Sequence, residues 1–254
     1  MTVKVSIITP SFNQGSFIEE TISSVLNQSY QNIEYIVMDG GSTDNTLDIL
    51  RKFDRNPRFK WFSSKDKGQS NAINKGFTMA TGSILAWLNS DDVYENSDVV
   101  KCIVDTFIKY PDLDLVYGRC SYIDAKGNFT GPYRSLDFNH NHLLNHDSGM
   151  IPQASCFFTS RVINKTGGLD ESLHYSMDYD LWLRISKQGK CLHIPDVLSK
   201  FRKHDGCKTV SKVYHSRIQS WYVSVKNGGH IISILFLRLV YTTLKELNPM
   251  RRAR

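Results

Sequence analysis

The sequence predicts an α/β fold: a mostly parallel central sheet with flanking helices, followed by a C-terminal helical extension. Two observations predict it. Through roughly the first hundred residues, short apolar runs of strand length alternate with stretches whose apolar residues recur at helical spacing. That alternation gives parallel strands joined by right-handed crossovers. Each strand-like run also ends in a polar cluster: Thr9–Asn13, Asp39–Asp44, Ser63–Gly68 and Asn89–Asp92. Ligands of open α/β sheets bind beyond the carboxyl ends of the strands, so these four clusters should meet in one cleft.

The elements follow in order. Lys4–Thr9 reads as a buried strand, and Phe17–Leu26 carries apolar residues at helical spacing. Ile33–Met38 is a second strand, and Thr46–Phe53 a second helix capped by Asp44 or Asn45. Phe59–Phe62, a helix from Gln69 to Met79 and a strand over Ser83–Leu88 complete the first half. Beyond it, Leu113–Arg119 and Cys120–Tyr133 look like strands with a turn at Lys126-Gly127. Ser135–Ile151 has weak periodicity and reads as a loop or lid, and Ala154–Thr159 returns to the sheet. Asp180–Lys187 is a helix, Cys191–Ile194 and Val197–Phe201 are short strands, and the tail is helical. With 254 residues and no repeat or Gly/Ser linker, the economical division is one domain over 1–209 with a tail over 210–254. Within it, 1–112 is the ligand-binding half and 113–209 the second half of the cleft.

Composition narrows the setting. The hydrophobic share of 41% and charged share of 22% are ordinary for a globular chain. The five cysteines are widely spaced without a CxxC pair, which favours a reducing cytoplasm over a disulfide framework or thiolate zinc site. Nothing at the N-terminus reads as a targeting signal. The net charge of +6 is uneven: fifteen Lys and Arg but three acidic residues fall between Arg184 and Arg254. Basic charge beside an apolar segment suits an anionic membrane surface better than nucleic acid, with general solubility the alternative.

Several clusters carry chemistry. In Asn89-Ser90-Asp91-Asp92, two adjacent carboxylates after a buried strand repel each other and resist desolvation. A hard divalent cation such as Mn²⁺ or Mg²⁺ relieves both problems and shares its ligands with substrate phosphates. A polar turn capping the next helix is the other reading. Asp39-Gly-Gly-Ser-Thr-Asp44 allows close approach by a ligand, but it is neither a Walker loop nor a GxGxxG fingerprint. Asp178-Tyr-Asp180-Leu-Trp-Leu-Arg184 sets two carboxylates at a helix start; capping accounts for one, most simply Asp180. An ionised Asp178 facing a cleft would serve as a general base.

From Val3 to Thr209 the chain resembles the family-2 glycosyltransferases of the GT-A (Rossmann-like) fold. The resemblance is carried by Val5-Ser-Ile-Ile-Thr-Pro-Ser-Phe-Asn13, by Asp39–Asp44 and by Asp66-Lys-Gly-Gln-Ser-Asn-Ala-Ile-Asn-Lys-Gly76. It continues through Asn89–Asp92 (the metal motif called DxD), Pro152-Gln153, Gly167–Glu171 and Asp178–Arg184. The order and spacing of these motifs together are specific.

The resemblance implies that Thr9, Pro10 and Asn13 belong to the nucleotide-sugar pocket, that Asp39 reads the base edge, and that Asp66 sits against the nucleoside. Lys67 and Asn74 join that set, since Ala72-Ile73-Asn74 lacks the arginine common at this motif and Lys67 would substitute. Asp91 would touch ribose or metal, and Asp92 would be the direct metal ligand, with His204 near the metal or diphosphate. Asp178 would be the catalytic base, though Met177 replaces the acid that often precedes it. The Gln-x-x-Arg-Trp motif of processive synthases is absent.

The implied activity is metal-dependent inverting transfer from a UDP-, GDP- or dTDP-sugar to a glycan or polyprenyl-diphosphate-linked acceptor, in bacterial surface polysaccharide synthesis. A sugar nucleotidyltransferase and a non-catalytic nucleotide-sugar-binding module are the alternatives. Ile231–Leu247 is apolar but broken by Arg238 and Lys245, too short a run to span a bilayer. It reads as an amphipathic helix ending in Arg251-Arg252-Ala253-Arg254, at the inner face of the membrane or packed on the protein. His140, His142 and His146 offer a second metal site, against which a mobile acceptor loop is preferred.

Overall fold

The computed structural model describes residues 3–146, 148–207 and 213–247. The expected boundary at 209/210 and the basic end at 251–254 lie outside the described residues. Strands β1 (Val5–Ser11), β2 (Ile33–Asp39), β3 (Phe59–Ser63) and β4 (Ile84–Trp87) alternate with helices α1 (Ile18–Leu26), α2 (Thr46–Arg51) and α3 (Gln69–Met79). They pair in parallel in the order β3-β2-β1-β4, as the alternation predicts. Every residue of β1, β2 and β4 is buried. Helices cover both faces, so these strands read as continuous apolar runs rather than alternating ones.

The core divides by side-chain direction. Val5, Ile7, Tyr35 and Val37 face α1, α2 and helix α4 (Val99–Lys109). Ile8, Ile36 and Met38 face α3 and the later helix α7 (Met177–Gln188). Gly76 lets α3 lie directly on β1: a Cβ there would stand 2.5 Å from Ile8 Cγ2. Of the two expected caps, Asn45 holds the N-cap position of α2 without a side-chain cap hydrogen bond, and Asp44, one residue earlier, accepts from Thr46 N at 3.0 Å.

The second half departs from expectation at its strands. A short strand β5 (Val93–Tyr94) precedes α4, and β6 runs unbroken over Leu115–Ile123, with β7 (Phe129–Pro132) returning beside it. Strand β8 (Cys156–Thr159) enters antiparallel between β4 and β6. The two short strands expected near the end are one long strand, β9 (Cys191–Arg202), parallel to β6 and antiparallel to β5. A register shift beside Gly118 absorbs the irregularity around Pro195. The segment read as a loop holds a helix, α5 (His140–Asn145), whose Leu143 and Leu144 are buried. Tyr179 Oη donates to both of their carbonyls. Helix α6 (Ser160–Thr166) follows β8.

The tail forms α8 (Val213–Lys226) and α9 (Ile234–Leu247). Helix α8 is tied into the body. Gln219 Oε1 accepts from Tyr175 N and Ser176 N, and Asn227 Nδ2 donates to Asp180, which also pairs with Arg184. Asp180 is thus an ion-pair anchor between α7 and α8 rather than a simple cap.

Candidate active site

A cleft of about 1040 Å³ opens at the carboxyl ends of β1–β4. Each of the four polar clusters contributes to its wall: Pro10 to Phe12, Gly40 and Gly41, Lys65 and Asp66, and Asn89 to Asp91. The far side comes from β6, from residues 148–154 and 174–179, and from Ser216 and Ser220 of α8. Its size suits a nucleotide-sized ligand.

Of the residues singled out in the sequence, Pro10, Asp66, Asp91 and Asp178 line this cleft. Asp66 accepts from Gly68 N at 2.8 Å, and its Oδ2 lies 2.8 Å from where a Cβ on Gly40 would stand. Glycine at position 40 therefore makes room for that carboxylate.

Thr9, Asn13, Asp39, Lys67, Asn74, Asp92 and His204 are not part of the lining, and most are spent on local structure. Thr9 is buried, donating to Leu88 O at 2.8 Å and bonded to Tyr35 Oη. Asn13, with a positive φ of 52°, accepts from Thr43 N and binds the β1 loop to the β2 loop. Asp39 accepts from Gly41 N, Ser42 N and Ser63 Oγ, and so shapes the loop that carries it. Asn74 is used up on Leu169 and Glu171, pinning the Gly167-Gly168 turn away from the cleft. Lys67 borders a small depression beside Glu171.

The Asp91-Asp92 pair is positioned from a distance. Because β5 pairs with β9, Val93 lies against Lys200, and the chain before it meets the chain after it. Asp92 is 1% exposed; it accepts from Arg202 N at 2.9 Å and Asn89 Nδ2 at 3.3 Å. Burial, and then the charge of Asp91, push its carboxyl well above the usual range. Asp91 faces the other way. Its Oδ2 lies 3.0 Å from His204 Nε2, and Cys207 completes a cluster whose three donor atoms lie within 4.8 Å of one another. That donor set fits a divalent cation. Among the described residues it is the single such group; the three histidines around α5 do not form one, and His140 bonds Ser186 Oγ instead.

Asp178 sits in the first turn of α7, which a Trp87–Trp182 stack with centroids 5.3 Å apart holds against β4. Oδ1 accepts from Tyr179 N at 2.8 Å. Burial raises its carboxyl to about 6, against the opposing backbone hydrogen bonds.

Sequence reasoning missed three contributors. Lys65 and Lys203 line the cleft, and Lys203 Nζ lies 3.3 Å from the centroid of Tyr122. Arg202, 1% exposed, donates to Asp91 O at 2.8 Å and pairs with Glu20. Lys65 lies in the Ser63–Gly68 cluster and Lys203 directly precedes His204, so their position is a usable signal. Arg202 was not readable, because its partners are far along the chain.

The sequence model of glycosyl transferase family 2 matches residues 6–167. The chain belongs to this family. The glycosyltransferase is 35% identical over 192 residues to chondroitin synthase of Escherichia coli, and 29% identical over 211 residues to hyaluronan synthase of Pasteurella multocida. Those alignments cover 75% and 82% of this chain but 27% and 21% of the relatives, so the chain spans about a quarter of their length.

Its fold matches S. aureus TarS residues 1–349, solved with UDP-GlcNAc, at a TM-score of 0.71 and 16% identity, covering 90% of this chain and 68% of the other. It also matches the mannosyltransferase PcManGT of Pyrobaculum calidifontis, solved with GDP-Man and Mn²⁺, at 0.70 and 17%, covering 94% and 70%. The fold is therefore that of the GT-A glycosyltransferases, and it is the family match that sets the nucleotidyltransferase alternative aside.

Proposed function

We propose that this glycosyltransferase moves a sugar from a nucleoside-diphospho-sugar to a hydroxyl of a glycan or lipid-linked acceptor, with inversion, in polysaccharide synthesis. The observation that carries the reading is a single cleft lined by both Asp178, a carboxyl brought to about 6, and Asp91, which His204 backs from outside the lining. The UDP-GlcNAc and GDP-Man bound to its structural neighbours support a nucleotide-sugar donor, and the two synthases among its relatives support a glycan product.

In this reading Asp178 takes the proton of the acceptor hydroxyl as its oxygen bonds to the anomeric carbon on the face opposite the diphosphate. The bond from that carbon to the diphosphate oxygen breaks, and the nucleoside diphosphate leaves with the electron pair. Lys65 and Lys203 supply positive charge on the cleft wall, and Asp66 meets the nucleoside. Asp91, rather than the buried Asp92, would hold a Mn²⁺ or Mg²⁺ ion with His204, and that ion would neutralise charge on the diphosphate leaving group. Asp39, Asn13 and Thr9 serve by fixing the loops that form the pocket.

The face of α9 that carries Leu237, Tyr241 and Leu244 is exposed, and its spacing of four and three places these side chains on one stripe. Among the described residues no helix is long and apolar enough to cross a membrane. That stripe, in the basic part of the chain, supports peripheral docking on an anionic bilayer where a lipid-linked acceptor would lie.

The test is donor turnover across a panel of UDP-, GDP- and dTDP-sugars with Mn²⁺, with and without chelator. One donor should release nucleoside diphosphate, and chelator and Asp91→Asn should each stop it. Release that chelator leaves untouched would overturn the metal assignment. Failure of every donor to bind in a thermal-shift assay would overturn the donor class.

A further inference from the structure

Glycosyl transfer through a carboxylate-held Mn²⁺ or Mg²⁺ needs only hard oxygen ligands on the protein, since the donor phosphates complete the shell. This cleft offers more. The turn after β9 brings Cys207 back toward Asp91: Cys207 N donates to His204 O at 3.0 Å, and Gly206 N to His204 Nδ1 at 3.2 Å. Both contacts close the turn. The carboxylate oxygen, the ring nitrogen and the sulfur then lie within 4.8 Å of one another, with Asp91 and Cys207 both on the cleft wall. The sulfur also donates to Arg202 O at 3.2 Å, a contact that a purely structural thiol would make.

We propose that Cys207 is a third protein ligand beside Asp91 and His204, so that the cleft binds a thiophilic divalent ion, Zn²⁺ or Co²⁺, before any nucleotide arrives. The proposal rests on the metal reading above and adds the sulfur to it. Three protein ligands with an open position are the arrangement of catalytic zinc sites, whereas one or two oxygens are typical of magnesium. Thiolate raises affinity for Zn²⁺ and Co²⁺ over Mn²⁺ and Mg²⁺, and the general order of divalent affinities works in the same direction. An ion bound between Asp91 and His204 would displace the Nε2 proton to Nδ1, which gives up its contact with Gly206. The Cys207 thiol, pushed up to about 11 by burial and the charge of Asp91, would release its proton to solvent on ligation and give up its bond to Arg202 O. The consequence is selectivity: Zn²⁺ occupies the nucleotide-free enzyme and competes there with Mn²⁺.

The experiment is a Co²⁺ titration of the full chain without nucleotide, reading visible d–d bands for binding and the near-ultraviolet thiolate-to-cobalt band for the sulfur. The wild type should show both. Cys207→Ser should keep the d–d bands, lose the thiolate band and bind Zn²⁺ at least tenfold more weakly, while Mn²⁺ affinity moves less than threefold. Visible bands without a thiolate band in the wild type would overturn the role of Cys207 and leave the hard-metal reading standing. No binding of Co²⁺ or Mn²⁺ in any state, with or without donor, would overturn the metal reading itself. Should the serine variant fail to fold, Zn-edge X-ray absorption on the wild type decides the same point. A sulfur scatterer supports the proposal, since no other such cluster exists among the described residues, and a shell of nitrogen and oxygen alone overturns it.

Discussion

Burial brings the Asp178 carboxyl to about 6. A general base works best when its pKa lies near the working pH, so that it is ionised yet still basic enough to take a hydroxyl proton. The sign is definite. Above pH 6 Asp178 is ionised, so transfer should be flat there and fall about tenfold per pH unit below it, giving an acid limb near 6 in the pH–rate profile. The same shift acts on stability in the opposite direction. A carboxyl whose folded value lies above its unfolded one favours the fold at low pH, and that contribution is lost as pH rises from about 4 through about 6. Asp178→Asn should therefore lose roughly 10²- to 10⁴-fold in transfer and keep donor affinity. Its Tm should equal or exceed that of wild type at pH 7.5, with the difference closing near pH 4. A variant that turns over normally would sink the base assignment. The two neighbouring carboxylates give a second contrast. Asp91→Asn should weaken Mn²⁺ binding at least tenfold, whereas Asp92→Asn, whose amide oxygen can still accept from Arg202 N, should change it little. Equal losses from both variants in a Mn²⁺ titration would return Asp92 to the metal.

Helix α8 shows at the level of elements what a sequence can and cannot convey. The strands β1–β4 and helices α1–α3 were legible because both sheet faces are buried and each element carries its own local pattern. The sequence pattern divides β6 between Arg119 and Cys120, just after Gly118, and β9 at Pro195-Asp196, where a proline usually ends a strand. The structure instead keeps the strands whole and shifts their register there, with Gly118 required because a Cβ would stand 2.5 Å from Leu198 Cγ. Which of two adjacent carboxylates faces the cleft was not legible, since that is decided by the pairing of β5 with β9, some hundred residues apart. The place of α8 was hidden for the same reason. Gln219 reaches back 44 residues to accept from Tyr175 N, just before the helix that carries Asp178. Gln219→Leu strands that donor and Ser176 N, at about 1–3 kcal/mol each. Together that is about 2–6 kcal/mol, a fall in Tm of roughly 4–24 °C for a chain of this size. Because these donors set the start of α7, kcat should fall while donor KM holds, and Gln219→Glu, which keeps an acceptor oxygen, should restore much of it. A loss in Tm with kcat untouched would mean that α8 braces the fold without positioning the base.

Over the whole molecule, charge and apolar exposure are distributed along the chain in the same sense. Fifteen of the 31 Lys and Arg lie from Arg184 onward with three of the 25 acidic residues, leaving the earlier part net negative. The exposed apolar stripe of Leu237, Tyr241 and Leu244 lies in that basic part, with Ile231 and Ile232 exposed just before it. The inner side of the same helical segment is anchored: Leu235 is buried, and Trp221 Nε1 donates to Ile231 O at 2.9 Å. One face thus fixes the helix to the catalytic body while the other presents apolar side chains to the surroundings. An anionic bilayer answers both features, since headgroups attract the basic charge and the acyl boundary accepts the stripe. Each basic residue near such a surface contributes about 1 kcal/mol, and that part is screened within a Debye length. Sedimentation with vesicles should therefore show binding to phosphatidylglycerol-containing membranes, little to neutral phosphatidylcholine, and substantial release at 0.5 M salt. The triple change Leu237→Ser, Tyr241→Ser, Leu244→Ser should abolish it without changing turnover of a soluble acceptor. Equal binding to neutral vesicles would remove the electrostatic half of this account. Concentration-dependent dimerisation that disappears in the triple variant, with no vesicle binding in wild type, would assign the stripe to a second copy of the chain.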